Sequence, residues 1–144
     1  MTRFMMSITD AAMLTLRAAT LPKGGEIYVL KMPVIRLGDL ADVVIEETCR
    51  KYDIPQSEVR REEIGLRFGE KMYEELMTIE ESKFGFELPK MYAICQSYFA
   101  FAGKKAISPL AGLTPAEVRS YSSQDQKPID KEEVRRIVLD EGLI

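Results

Sequence analysis

Apolar side chains recur at helical spacing in several parts of the chain. Ala12, Leu16 and Ala19 fall on one face of a first predicted helix. Asp130 is predicted to be the N-cap of the last helix, because Glu133 follows three residues later. The predicted helices cover about Ile8–Ala19, about Leu37–Tyr52 and about Lys71–Thr78, with another starting near Thr114–Glu117 and the last following Asp130.

Shorter apolar runs bounded by proline or glycine predict strands, at Glu26–Leu30, Val59–Leu66, Phe84–Leu88 and Met91–Cys95. The first of these strands precedes the helix at Leu37–Tyr52, as in half of a βαβ crossover, and this order predicts an α/β class. We expect that strand to have an exposed edge or a partner chain beside it. Tyr98–Ala102 is interpreted as core or as a partner-facing surface, and Gly103–Pro115 as a loop.

Length and composition indicate one domain over residues 1–144, in which residues 104–144 form a C-terminal extension. The net charge is -3 and no basic block is present, so nucleic acid is not an expected partner. No apolar run approaches the roughly 20 residues of a membrane span, and no signal peptide is expected. The two cysteines are far apart in the sequence, which favours a reduced, cytoplasmic setting.

The chain contains no histidine. This excludes a Ser-His-Asp or Cys-His catalytic site and a histidine-based zinc site within the chain. Four glutamates lie close together in the sequence, but their spacing spreads them around a predicted helix and a loop, so no metal site is expected there. They are Glu74, Glu75, Glu80 and Glu81.

The stretch Ile64–Leu76 places two glycines on either side of an arginine, between a predicted strand and a predicted helix. Arg67 offers a planar fork of donors for phosphate oxygens, while Gly65 and Gly69 let the backbone approach a ligand closely. A helix N-terminus beside them would also favour an anion. The stretch therefore predicts an anion site, and the alternative is that Arg67 is a solvated surface charge.

The segment Gly65–Lys71 resembles the Gly-x-Arg-Pro-Gly-Glu-Lys segment of UDP-N-acetylglucosamine 4,6-dehydratases, the polysaccharide-biosynthesis branch of the extended short-chain dehydrogenase/reductases. Phe68 stands where that family usually has proline, which leaves the turn less rigid. Three further segments resemble the family in the same order: Thr2–Ala11 its Thr-Arg-Phe-x-Met-Ser-Ile-x-Asp-Ala run, Gly24–Pro33 its Gly-Gly-Glu-Ile-Phe-Val-Pro-Lys-Met-Pro run, and Tyr121–Ser123 its closing segment.

This resemblance implies the C-terminal portion of a Rossmann-type extended short-chain dehydrogenase/reductase fold, with mixed helices and short strands. It implies that Arg67 clamps a pyrophosphate, that Glu70 accepts ribose hydroxyls and that Arg3 is a second phosphate partner. Two arginines on one diphosphate are chemically reasonable, since charge-assisted bidentate bonds are strong. The alternatives are that Arg3 is a surface charge and that Glu70 interacts with a helix dipole.

The same resemblance places the family's NADP on a Gly-rich turn and its chemistry on a Tyr with a Lys four residues later. Neither pattern occurs here, so no cofactor and no catalytic residue are expected in this chain. The favoured hypothesis is therefore the UDP-sugar-binding portion of a dehydratase or epimerase, working with a Rossmann-domain partner chain or as a homo-oligomer. The alternatives are a stand-alone nucleotide-sugar binding or regulatory module and a structural interaction domain.

Overall fold

The computed structural model describes residues 1–21, 25–95 and 112–144. The predictions for Tyr98–Ala102 and for most of Gly103–Pro115 lie outside this range. The elements, in chain order, are β1 (Thr2–Phe4), α1 (Ile8–Ala19), β2 (Ile27–Leu30), β3 (Val34–Arg36), α2 (Leu37–Tyr52), a 3₁₀ turn (Gln56–Glu58), β4 (Glu75–Met77), α3 (Ile79–Ser82), β5 (Gly85–Leu88), β6 (Met91–Ile94), β7 (Thr114–Pro115), β8 (Tyr121–Ser122) and α4 (Lys131–Asp140).

These elements form two compact units. Unit 1 comprises Met1–Ser7, Pro33–Glu74 and Ser123–Ile144, and unit 2 comprises Ile8–Met32 and Glu75–Ser122. In unit 1, β1 pairs antiparallel with β3, so that Arg3 lies opposite Ile35. The core beneath this pair is apolar and buried, as expected for one face of a strand packed on two helices. Its buried members are Ile35, Val43, Val134 and Val138.

Ion pairs also join α2 to α4 in unit 1. Lys131 Nζ lies 2.6 Å from Glu46 Oε1, and Arg135 Nη2 lies 2.8 Å from Glu46 Oε2. Arg135 also pairs with Glu47, whose side chain is only 5% exposed. The Arg135 guanidinium thus forms ion pairs with two successive glutamates of α2, and these pairs hold α4 against α2.

These pairs predict a loss of stability in acid that depends on Glu46. Its pKa is lowered from the ordinary value of 4.5, first by the hydrogen bond from Lys131 and then by that from Arg135. A carboxyl with a lowered folded pKa stabilises the folded state fully above its unfolded value, and this stabilisation is lost as the pH falls through the folded value. We expect the melting temperature to fall below about pH 4.5, and Glu46→Gln to flatten that decline. The exposed Glu62→Gln is the control, and an unchanged pH profile in Glu46→Gln would contradict the expectation.

Unit 2 contains a four-stranded antiparallel sheet of order β2-β6-β5-β7 and a separate antiparallel pair, β4 with β8. All four residues of β6 are buried, as expected for a strand with neighbours on both sides. The strand β2 lies at one edge of the described sheet, where Ile27 is 55% exposed and Val29 is buried. The expectation of an exposed edge at this strand agrees with its position.

Several predicted elements are confirmed. The helices α1 and α2 have the predicted bounds, and α4 follows Asp130, whose carboxylate accepts from the Glu133 N–H at 2.9 Å. The strands β2, β5 and β6 lie within the predicted strands. However, no residue of α1 is buried, and the face with Ala12, Leu16 and Ala19 is exposed. The parallel βαβ unit is wrong, since β2 pairs antiparallel with β6 and β3 lies between β2 and α2.

Three predictions between residues 59 and 117 are also wrong. Val59–Leu66 is exposed and is not a strand, because no described backbone hydrogen bond joins residues 60–66 to a neighbouring strand. The predicted helix Lys71–Thr78 is replaced by β4, which pairs with β8 and buries Met77. Thr78 begins a helix instead of ending one, through a capping box with Glu81. Thr114–Pro115 pairs with β5 as β7 and does not start a helix.

Candidate functional site

The candidate site is built on the turn between Gly65 and Glu70 in unit 1. Gly65 and Gly69 have φ of 73° and 82°, in the left-handed region that side chains other than glycine adopt at a cost. The Glu70 N–H donates to the Arg67 carbonyl at 3.0 Å, and the Arg67 N–H donates to Glu70 Oε2 at 3.2 Å. These reciprocal bonds close the turn, which explains why glycines flank Arg67.

Arg3 reaches this turn from β1. Its Nη1 donates to the Thr2 carbonyl and its Nη2 to the Lys71 carbonyl, each at 2.8 Å. Nη2 also lies 3.8 Å from Glu70 Oε1, and Nε lies 3.7 Å from Glu74 Oε1. An arginine has five N–H donors; here carbonyls accept from two of them, and carboxylates lie near Nη2 and Nε. Arg3 is therefore partly a structural cross-link, and its side chain is 22% exposed.

Arg67 is different, because it is exposed and its guanidinium makes no ion pair or hydrogen bond with the described part of the chain. Hydrogen bonds from backbone N–H groups hold the turn closed, and the Arg67 side chain is left without a partner among the described residues. Such a side chain is well placed to bind an anionic ligand. Phe68, next to it, is fully exposed. The turn is therefore not anchored in the core by that aromatic ring.

A groove of about 720 Å³ lies beside the turn, and all the residues that line it belong to unit 1. Five charged residues line its wall, Arg61, Glu62, Glu63, Arg67 and Glu70, and Arg61 is already paired with Asp42. The apolar part of the lining comes from the first residue, from the start of α2 and from the turn and its flanks: Met1, Leu37, Ala41, Ile64, Leu66 and Met72. An apolar wall with a few convergent charged groups is the usual composition of a small-molecule site.

The structure thus brings together the three residues that the sequence singled out. Glu70 contacts Arg3 through its side chain and Arg67 through the backbone N–H, and Arg67 and Glu70 line the groove. The helix expected directly after the turn is absent from the described structure, because β4 takes that place. The helix-dipole alternative for Glu70 is therefore wrong. The helix whose first turn, Leu37 and Gly38, does line the groove is α2.

Sequence reasoning missed the residues that hold Arg3. Glu74 Oε2 accepts the Phe4 N–H at 3.0 Å, and the Glu74 backbone pairs with the buried Ser123. Ser123 Oγ lies 3.0 Å from Thr2 Oγ1, although the two residues are 121 positions apart. The only local signals were that Ser123 falls in a segment that resembles the family and that Glu74 lies three residues after another such segment, and nothing in the sequence joins them.

The antiparallel sheets and helices of the two units define a mixed α/β protein. Residues 1–96 match the family described as polysaccharide biosynthesis protein, and the chain belongs to that family. Its relatives include nucleotide-sugar dehydratases and epimerases. The resemblance drawn from the short motifs is confirmed at this level.

Three relatives illustrate the match. An uncharacterized membrane protein of Methanocaldococcus jannaschii is 40% identical over 138 residues, which are 96% of this chain and 38% of the relative. A UDP-N-acetylglucosamine 4,6-dehydratase (inverting) of Campylobacter jejuni is 31% identical over 97 residues, 67% of this chain and 26% of the enzyme. The X-ray structure of Pen from Bacillus thuringiensis superimposes with a TM-score of 0.83 at 45% identity, covering 100% of this chain and 39% of Pen.

The chain thus spans less than two fifths of the length of these relatives. Within the residues that the structure describes, none of the helices combines the length and apolar character required to cross a membrane.

Proposed function

We propose that this chain is the nucleotide-sugar-binding portion of a UDP-N-acetylglucosamine-type 4,6-dehydratase or epimerase in surface polysaccharide or glycan biosynthesis, and that it is not catalytically competent alone. One observation carries the proposal. The Arg67 guanidinium is exposed and unengaged by the described residues, on a turn that Glu70 closes, beside a groove of about 720 Å³. Family membership supplies the ligand class.

In this proposal the diphosphate lies across the Arg67 fork, which can bond two oxygens in parallel. Arg3 contributes a second cation from β1, with the donors that the Thr2 and Lys71 carbonyls do not use. Glu70 Oε1, which lies 3.8 Å from Arg3, accepts a ribose hydroxyl. The apolar wall of the groove packs against the uncharged part of the nucleotide sugar.

NADP, the cofactor that the resemblance implies for full-length members of the family, does not fit the described residues of this chain. The glycine-bracketed turn at Gly65–Gly69 leads into β4 (Glu75–Met77), whereas dinucleotide sites place a Gly-rich turn between a strand and a helix N-terminus. The sequence also lacks a Tyr followed by Lys at the fourth position. Hydride transfer therefore belongs, in this proposal, to polypeptide other than this chain.

In this proposal that polypeptide is a Rossmann-domain partner chain; a homo-oligomer of this chain, the alternative partner arrangement, would not supply the hydride-transfer site. In the described part of the chain β2 lies at the edge of its sheet with Ile27 at the surface, which supports such a contact because unpaired edges readily take another strand. We place the protein in the cytoplasm, which is supported by two cysteines that are both free and buried.

The proposal predicts measurable but weak binding of UDP. We expect a dissociation constant on the order of high micromolar to millimolar, because much of the contact to uridine and sugar would come from outside this chain. Binding of NADP is not expected. Calorimetric titration with each ligand tests both statements, and NADP binding below about 1 mM without UDP binding would overturn the proposal.

A second candidate, a structural interaction domain, is favoured by one observation in unit 2. The helix α1 has no buried residue, and Ile8, Met13 and Leu16 are exposed. A helix of this length gains most of its stability from packing, so an uncovered apolar face is typical of a protein contact. This candidate predicts no UDP binding, so the same titration separates the two.

A further inference from the structure

Glu74 stands out because both of its carboxylate oxygens lie against β1. Oε2 accepts the Phe4 N–H at 3.0 Å, and Oε1 lies 3.7 Å from Arg3 Nε. The carboxylate therefore faces the Nε side of the Arg3 guanidinium. Carbonyl oxygens hold the other side, since Nη1 bonds Thr2 and Nη2 bonds Lys71.

Glu74 is itself held rigidly, which is what a residue that orients another requires. Its N–H donates to Ser123 Oγ at 3.0 Å, and its carbonyl accepts the Ser123 N–H at 2.8 Å. Ser123 is fully buried, and its hydroxyl also lies 3.0 Å from Thr2 Oγ1. Thr2 in turn donates its N–H to the Met72 carbonyl at 2.9 Å. The backbone on both sides of Glu74 is thus tied to the strand that carries Arg3.

We propose that Glu74 is a positioning residue for Arg3, and that it holds the guanidinium so that Nη2 faces the Gly65–Glu70 turn and a bound diphosphate. This inference rests on the proposed function. Without Glu74, only the Thr2 and Lys71 carbonyls would hold the guanidinium, and Nη2 would be less well fixed in the geometry that a charge-assisted contact to phosphate requires.

Removing the charge of Glu74 separates two possible roles, because electrostatic repulsion and orientation of Arg3 predict opposite changes in UDP affinity. A carboxylate near a diphosphate repels it, so removing that charge should tighten UDP binding if Glu74 is only a nearby anion. If Glu74 orients Arg3, its removal should weaken binding instead. Glu74→Gln keeps an oxygen that can accept the Phe4 N–H, so the backbone tie is preserved while the carboxylate is lost.

The experiment measures UDP affinity for the unaltered chain, Glu74→Gln, Arg3→Gln and the double variant. We expect Glu74→Gln to weaken binding about three- to tenfold, and to have no further effect once Arg3 is replaced, as coupled residues behave in a double-mutant cycle. Glu75→Gln is the matched control, with the same charge change one residue further on, at an exposed position of β4; its affinity should be unchanged. The Arg3 Nε–Hε signal in the NMR spectrum reports orientation without ligand, and should shift and exchange faster in Glu74→Gln.

The UDP affinities of these variants decide whether Glu74 positions Arg3. Tighter or unchanged UDP binding in Glu74→Gln overturns the positioning role and leaves the proposed function intact. Weakening that persists in the Arg3→Gln background also overturns it, because Glu74 would then act on something other than Arg3. If the unaltered chain does not bind UDP at all, the proposed function fails, and the inference fails with it.

Discussion

The Arg67→Lys variant is expected to bind UDP about five- to thirtyfold more weakly than the unaltered chain, a loss of roughly 1 to 2 kcal/mol. The positive charge is kept, but an ammonium cannot form the two parallel bonds that a guanidinium makes to phosphate oxygens. Stability should hardly change, because Arg67 is exposed and no described residue pairs with its side chain. Calorimetry with UDP and thermal unfolding measure the two quantities separately.

The matched control is Arg60→Lys, the same substitution at an exposed position that does not line the groove. Its UDP affinity should stay within error of the unaltered chain. If Arg67→Lys and Arg67→Ala both leave the affinity for UDP unaltered, Arg67 does not clamp the diphosphate. The chain would then share the fold of its family without the proposed binding role of Arg67.

The Ile35→Ala variant is expected to lose about 2 to 5 kcal/mol of folding stability, the usual range for truncating a large buried aliphatic side chain. Ile35 is 2% exposed and packs with Val43, Val134 and Val138 in unit 1. It also lies directly opposite Arg3 in the β1–β3 pair, so the cavity would form under the strand that carries the site. Denaturant unfolding followed by circular dichroism measures the loss.

Ile64→Ala is the control for this change, because Ile64 is 68% exposed. Its stability should stay within about 0.5 kcal/mol of the unaltered chain. A loss of less than about 1 kcal/mol in Ile35→Ala would mean that the unit 1 core does not depend on this residue as its burial indicates.

The elements that the sequence predicted well are those whose signals are local. In α2, apolar side chains at helical spacing predicted the bounds of the helix but not that Val43 is buried, and in α4 the Asp130 cap precedes the buried Val134 and Val138. The β5–β6 hairpin was likewise visible as two apolar runs around a turn. Each of these patterns lies within a stretch of about 20 residues, which is long enough to show apolar periodicity and a helix cap.

The segment from Val59 to Thr78 could not be predicted, because its structure depends on distant partners. A strand pattern needs another strand, and no described strand pairs with Val59–Leu66. Glu75–Met77 does find a partner, at Tyr121–Ser122, more than forty residues further along the chain. That long-range pairing overrides the helical propensity of Glu75, Leu76 and Met77.

The site shows the same division. Two glycines around Arg67 predicted a tight turn, and both do adopt positive φ. Arg3 entered only through resemblance to the family, since nothing near it in the sequence suggests a ligand. The hydrogen-bond network of Thr2, Glu74 and Ser123 could not be predicted from the sequence, because it joins residues of unit 1 that are as many as 121 positions apart.

In the proposed function, UDP binds at the Gly65–Glu70 turn and the groove beside it. The most direct measurement is a ¹⁵N NMR titration with UDP, in which every backbone amide reports separately. We expect the largest shifts in residues 65–70, smaller ones in β1 and at the start of α2, and none in the exposed helix α1. Shifts confined to unit 2, or none at millimolar UDP, would contradict the claim.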